Sequence, residues 1–211
     1  MSNITTLSGT QIIDGIEYND YPAPNMLVKA MELVWAKKLI TEGGIRLSPL
    51  SYYQNLENTE LGDNLEGLGA LNMNSHPYSI DSINEIFIWC CANPETDQST
   101  LLSLDSGYDV IIKVTDTVKF IKRIDEALHY NNDSFSPPQV GEVNYNRSSE
   151  VTKKSLQQQQ WQWNAFQKDP YYMHQNEFRF VFSDSSLTPP QGQAINLLIG
   201  NCEDIIELIK T

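Results

Sequence analysis

The run EFRFVF, which begins at Glu177, constrains the fold more than any other stretch of the chain. Successive side chains of a strand point to opposite faces, so Phe178 and Phe180 share one face while Glu177 and Arg179 share the other. The aromatic face has to lie on a hydrophobic layer. The opposite face carries a carboxylate and a guanidinium, and Gln175 would join them if the strand began earlier. That face is either a solvated sheet surface, with Glu177 paired to Arg179 or Lys168, or the wall of a site.

Other segments supply the remaining layers. Strands are expected around residues 12–18, at Ile45-Arg46-Leu47, at IFIWCC within 80–91, at YDVIIKV over 108–114, and at INLLIG after the Pro-Pro turn of 189–190. Residues 26–41 read as a helix, because Leu27, Ala30, Met31, Val34, Trp35 and Leu39 recur at three- and four-residue spacing before Gly43-Gly44. Residues 117–130 repeat that pattern with Val118, Ile121, Ile124 and Leu128, and CEDIIELI near the end is read as a final helix. Trp35 and Trp89 are assigned to the core, and His76 to a loop. No strand–helix unit repeats, so the expectation is a single α+β domain with a mixed or antiparallel sheet and flanking helices. Residues 1–25 are read as an N-terminal strand or extension, and 26–211 as the domain, with a polar insertion near 131–165.

Charge narrows the function classes. Lys and Arg number 14 against 27 Asp and Glu, a formal charge of -13, which argues against nonspecific duplex DNA binding. A local basic patch, a single arginine holding a small anion, or a basic protein partner all remain compatible with it. No secretory signal and no long apolar span is visible, and Cys90, Cys91 and Cys202 read as thiols in a reducing compartment, so a cytoplasmic location is expected. The chain has no phosphate loop, dinucleotide fingerprint, His-Glu-x-x-His or nucleophile elbow. His76, His129 and His174 are scattered, and no metal site is assigned.

Polar groups without a local structural reason occur in three places: Arg46, the cluster Tyr52, Tyr53, Glu57, Asp63 and Glu66, and Gln175-Asn176-Glu177. The run EGGIRLSPLSYYQNLENTELGDNLEG resembles the N-terminal signature of a broad group of bacterial and phage proteins, in which a helix precedes a G-x-[IL]-[RY]-[FLV]-S strand and an aromatic, acid-ended segment. FQKDPYYMHQNEFRFVF resembles that group's C-terminal signature, a Lys, an aromatic and then E-[FYW]-R. The similarity spans most of residues 26–183, and Gln175-x-Glu177 is similar to the Gln-x-Glu form of the catalytic glutamate of ADP-ribosyltransferases.

The resemblance implies an ADP-ribosyltransferase-like fold and an enzyme that uses NAD to modify a protein or nucleic-acid acceptor, in a toxin or phage-defence setting. It implies catalytic roles for Glu177, Gln175 and Tyr53, and dinucleotide binding by Arg46, Ser51 and Tyr52. The chemistry suits these residue types. A carboxylate offsets positive charge developing on ribose, a guanidinium grips a pyrophosphate, and an aromatic face packs the nicotinamide. Residues 48–51 read Ser-Pro-Leu-Ser, a departure from the usual Ser-Thr-Ser strand. Two other classes fit the composition. One is hydrolysis, as an NAD glycohydrolase or as a magnesium nuclease using Glu57, Asp63, Glu66 and Glu177. The other is a non-enzymatic acidic module, an antitoxin or an inhibitor, that engages a basic partner.

Overall fold

The computed structural model describes residues 4–5, 11–13, 16–18, 23–56, 58–63, 67, 69–73, 76–80, 85–130, 133–145, 165–186 and 192–209. The chain opens with β1 (Ile4–Thr5), β2 (Gln11–Ile13), β3 (Ile16–Tyr18) and β4 (Ala23–Pro24), where β2 pairs with β3 and β1 with β4. Next come β5 (Leu27–Met31), α1 (Leu33–Glu42), β6 (Gly44–Pro49) and α2 (Leu50–Gln54). The hairpin β7 (Gly69–Met73) and β8 (His76–Ile80) leads to β9 (Glu85–Ala92), α3 (Gln98–Ser103), β10 (Val110–Val114) and α4 (Thr117–His129). The last elements are β11 (Gln139–Glu142), a 3-10 turn (Pro170–Gln175), β12 (Glu177–Asp184), β13 (Ile195–Leu198) and β14 (Ile206–Ile209).

Eight of these strands form one antiparallel sheet in the order β11-β12-β9-β5-β10-β14, with β6 and β13 branching from it. The chain is therefore an α+β fold with an antiparallel sheet. The branch point matters most. On one edge β9 pairs along its whole length with β12, from Glu177↔Ala92 to Asp184↔Glu85. Its other edge is divided: β5 reaches it at Val28↔Ala92, and β6 reaches it at Ser48↔Ile88 and Pro49↔Phe87. Between those two contacts, at Trp89 to Cys91, the sheet forks.

Both faces of the sheet are covered. Phe178, Phe180 and Phe182 pack with Phe87, Trp89 and the buried side of α4, including Phe120 and Ile124. Trp89 lies 4.9 Å from Phe120 and 5.4 Å from Phe180, ring centre to ring centre. On the reverse face Ile86, Ile88 and Val181 pack with Leu50, Ala165 and Tyr53. The face that carries Glu177 and Arg179 is thus interior, not a solvated sheet surface.

Several expectations change. Residues 27–31 form a central strand, because Leu27, Val28 and Ala30 are buried between β10 and β9, and long-range pairing outweighs the three- and four-residue spacing. Residues 206–209 form β14 on the edge of β10, where a final helix was expected. His76 opens β8 and does not lie in a loop. Gly43 does end α1: it is left-handed at φ 73°, and a Cβ there would lie 2.1 Å from the Gly200 carbonyl oxygen, so only glycine fits. The Pro-Pro turn, Trp161, Trp163 and most of the polar insertion fall outside the described residues.

Candidate functional site

The fork in the sheet opens a cavity of about 790 Å³, walled by β5, β6 and β9 and by the first residues of β12. Arg46, Tyr52, Tyr53, Gln175 and Glu177 all line it. They come from four different elements. Strand alternation brings Arg46 and Ser48 onto the same side of β6, and α2 turns directly off that strand to present Tyr52 and Tyr53. The tyrosine rings meet edge to face at 5.2 Å. Tyr52 is exposed, while Tyr53 packs into the reverse-face cluster.

Glu177 is held from two sides. Lys168 Nζ donates to its Oε1 at 2.6 Å, and Arg179 Nε donates to its Oε2 at 2.7 Å. Its own backbone N–H donates to the Tyr145 hydroxyl at 2.7 Å. The Glu177 side chain is only 11% exposed, and those of Lys168 and Arg179 are 2% and 1%. Burial pushes the Glu177 carboxyl upward, but Arg179 and then Lys168 outweigh it and bring it down to about 2. It is an anion across the physiological range, suited to steady electrostatics and unsuited to proton transfer.

Lys168 also organises Gln175. Its Nζ donates to Gln175 Oε1 at 2.7 Å and sits 4.7 Å above the Tyr172 ring, while Gln175 Nε2 donates to the Glu60 carbonyl. Gln175 ends the 3-10 turn, and Asn176 adopts a left-handed φ of 45° before β12 begins. Gln175 and Glu177 therefore do not share a strand face by alternation. They reach the same cavity because one ammonium bridges them.

Ser51 does not line the cavity. Its Oγ is buried beside Gly192, and Ser48 is the serine on the cavity wall. His174 lies outside as well, 3.4 Å from a Glu60 carboxylate oxygen. Asp63 is buried beneath α2, its N–H donating to the Tyr53 carbonyl, while Glu57 and Glu66 fall outside the described residues. Among the described residues no three His, Cys, Asp or Glu side chains gather as metal ligands. Cys90 faces the cavity, but burial, with Glu177 adding to it, pushes its thiol up to about 11, so it stays protonated.

Sequence reasoning missed Lys29, Lys38 and Trp35. Lys29 Nζ donates to the Cys90 carbonyl at 2.7 Å, in the fork of β9, and stands 5.2 Å from the centre of the Trp89 ring. Trp35 is not core: it is 52% exposed on the cavity wall, with Lys38 Nζ 5.7 Å from its ring. Among the described residues four basic ones, Lys29, Lys38, Arg46 and Arg179, line the cavity against two acidic ones, Glu32 and Glu177. An acidic chain has built a basic, aromatic hollow. Among the described residues no helix is long and apolar enough to cross a membrane. No protein-family model, no curated protein and no solved structure matches this chain.

Proposed function

We propose that the protein is an ADP-ribosyltransferase that takes NAD into the sheet fork and modifies a protein or nucleic-acid acceptor, in a toxin or phage-defence setting. One observation carries the reading: Arg46, Tyr52, Tyr53, Gln175 and Glu177 line one cavity whose described lining is basic within a chain of formal charge -13. Such a hollow favours an anion that also carries aromatic rings, and NAD has that chemistry.

NAD supplies an activated glycosidic bond: nicotinamide departs with the bonding electron pair, the acceptor's nucleophile bonds to the same ribose carbon, and the acceptor's proton passes to water. The protein's part is binding and electrostatics. Arg46, whose guanidinium lies 5.2 Å from the Tyr52 ring centre, binds the pyrophosphate, and Tyr52 and Tyr53 flank the nicotinamide. A carboxylate offers about four acceptor directions, and Lys168 and Arg179 occupy one on each oxygen of Glu177. The remaining directions accept ribose hydroxyls as positive charge develops there. Because Glu177 is ionised throughout, its role is to stabilise that charge rather than to move a proton.

The test is nicotinamide release from NAD by the purified protein, with and without cell extract, alongside Glu177→Gln and Arg46→Ala. Release that depends on both residues and rises with extract supports the transferase. Equal release without extract identifies a glycohydrolase at the same site. An unchanged rate in either variant removes the assignment.

A further inference from the structure

The cavity rim has an order that NAD binding does not require. Trp35 and Lys38 lie three residues apart on α1, so they share a helix face. The Lys38 stem crosses Gly44, where an added Cβ would lie 2.9 Å from Lys38 Cγ. Two residues further along β6 is Arg46, whose guanidinium stands over Tyr52. The rim therefore runs aromatic, cation, cation, aromatic, and its two halves are offset by about 7 Å along β6. Both rings are solvent-accessible, Trp35 at 52% and Tyr52 at 40%. Among the described residues neither Lys38 nor Arg46 has a carboxylate partner. Among the described residues of the cavity wall the acidic groups are Glu32, beside this rim, and Glu177, held in its ion pairs.

We infer that this rim binds single-stranded nucleic acid, with bases stacking on Trp35 and Tyr52 and the phosphates between them meeting Lys38 and Arg46. Stacking platforms joined by cations are what a flexible strand needs, because every base has a flat face and every linkage a charge. A duplex cannot use the rings, since its bases already stack on one another. An acidic peptide could pair with the two cations, but it does not present a flat ring beside each charge as a strand does, and the rim sets an exposed ring beside each cation. In a chain of formal charge -13, a basic rim also selects a polyanion against a general repulsion, so the contact has to be local. Because Arg46 and Tyr52 also hold the dinucleotide in the transferase reading above, strand and NAD share half of this rim and compete for it, whereas the strand's binding does not rest on that reading.

The test is fluorescence anisotropy of labelled, mixed-sequence DNA and RNA strands of about 12 nucleotides, titrated with the intact protein in low salt without NAD. The matching duplex is the control. Binding is expected for single strands and not for the duplex. Trp35→Ala should weaken it by roughly tenfold, the loss of one stacked base. Lys38→Gln should flatten the log–log salt dependence by about 0.7, the loss of one phosphate contact on a single strand. Both residues are exposed, so folding is preserved, and circular dichroism checks it. No strand binding by the folded protein overturns the inference, as do equal binding of the duplex and indifference to both substitutions. Where NAD itself is bound, saturating NAD that weakens strand binding supports the shared rim, while strand binding unchanged by bound NAD overturns the placement at Arg46 and Tyr52. Nicotinamide release without strand binding leaves the transferase standing alone, and strand binding without release leaves the rim standing alone.

Discussion

Two carboxylates in this protein each sit between two cations, and their surroundings make them different objects. Asp204 accepts from Lys119 Nζ at 2.5 Å and from Arg123 Nη2 at 2.9 Å on an open surface. Glu177 accepts from Lys168 and Arg179 beneath the sheet fork. Both carboxyls are drawn down to about 2: Asp204 by its hydrogen bond from Lys119 and then Arg123, Glu177 by Arg179 and Lys168 against the upward push of burial. Water screens the first cluster, so its members are nearly interchangeable with neutral polar groups. In the second cluster, removing one member strands another charge in the interior. The buried cluster stands at the edge of the sheet-fork cavity, whereas Lys119, Arg123 and Asp204 lie outside that cavity's lining.

The largest effect is expected at Arg179. Arg179→Ala leaves Glu177 and the Ala165 carbonyl short of a donor, and is expected to lower unfolding stability by about 3–5 kcal/mol, measured by urea denaturation. A loss no greater than that of a surface pair would remove the distinction. Next in size, Glu177→Gln keeps the shape but not the charge, and is expected to cut nicotinamide release by about 10²–10³-fold. Acid separates the clusters as well. The Glu177 carboxyl titrates near 4.5 when unfolded and near 2 when folded, so its contribution is complete above 4.5 and is lost as pH falls toward 2. The amount is on the order of 3 kcal/mol, and Glu177→Gln should flatten the pH dependence of stability in that window. A smaller effect is expected from Arg46→Ala, which should weaken NAD binding by roughly tenfold without changing the unfolding midpoint. The least is expected at Asp204: Asp204→Asn should leave both the midpoint and the release rate where they were.

The same contrast explains what a reader of the sequence could see. The strands β9, β10 and β12 and the helix α4 announce themselves by composition and period, since each buries a face that its own residues define. Strand β5 does not. Leu27, Ala30 and Met31 fit helical spacing, and pairing with Val110 to Val114, some eighty residues away, and with Ala92 of β9 turns them into a strand. That shift moves the start of α1 to Leu33 and rotates Trp35 from the expected core to the cavity rim. Likewise β14 exists because β10 has an open edge for it.

Within the site, Arg46, Tyr52, Tyr53 and Glu177 were legible as unexplained polar and aromatic groups in short elements. Lys168 was legible only as one of two partners for Glu177, and the structure uses both. Strand alternation predicts Gln175 beside Glu177, but Lys168 holds it there across the left-handed Asn176. Lys29 and Lys38 carried no local signal, because their meaning depends on a fork made by strands far apart in sequence.

The most direct test of the account is nicotinamide release from NAD by the wild-type protein and by Glu177→Gln and Arg46→Ala, all three verified as folded by circular dichroism. Release is expected from the wild type, with its loss in Glu177→Gln and a roughly tenfold higher NAD requirement in Arg46→Ala. Wild-type release that persists unchanged in Glu177→Gln, or no release and no NAD binding by the wild type, would contradict it.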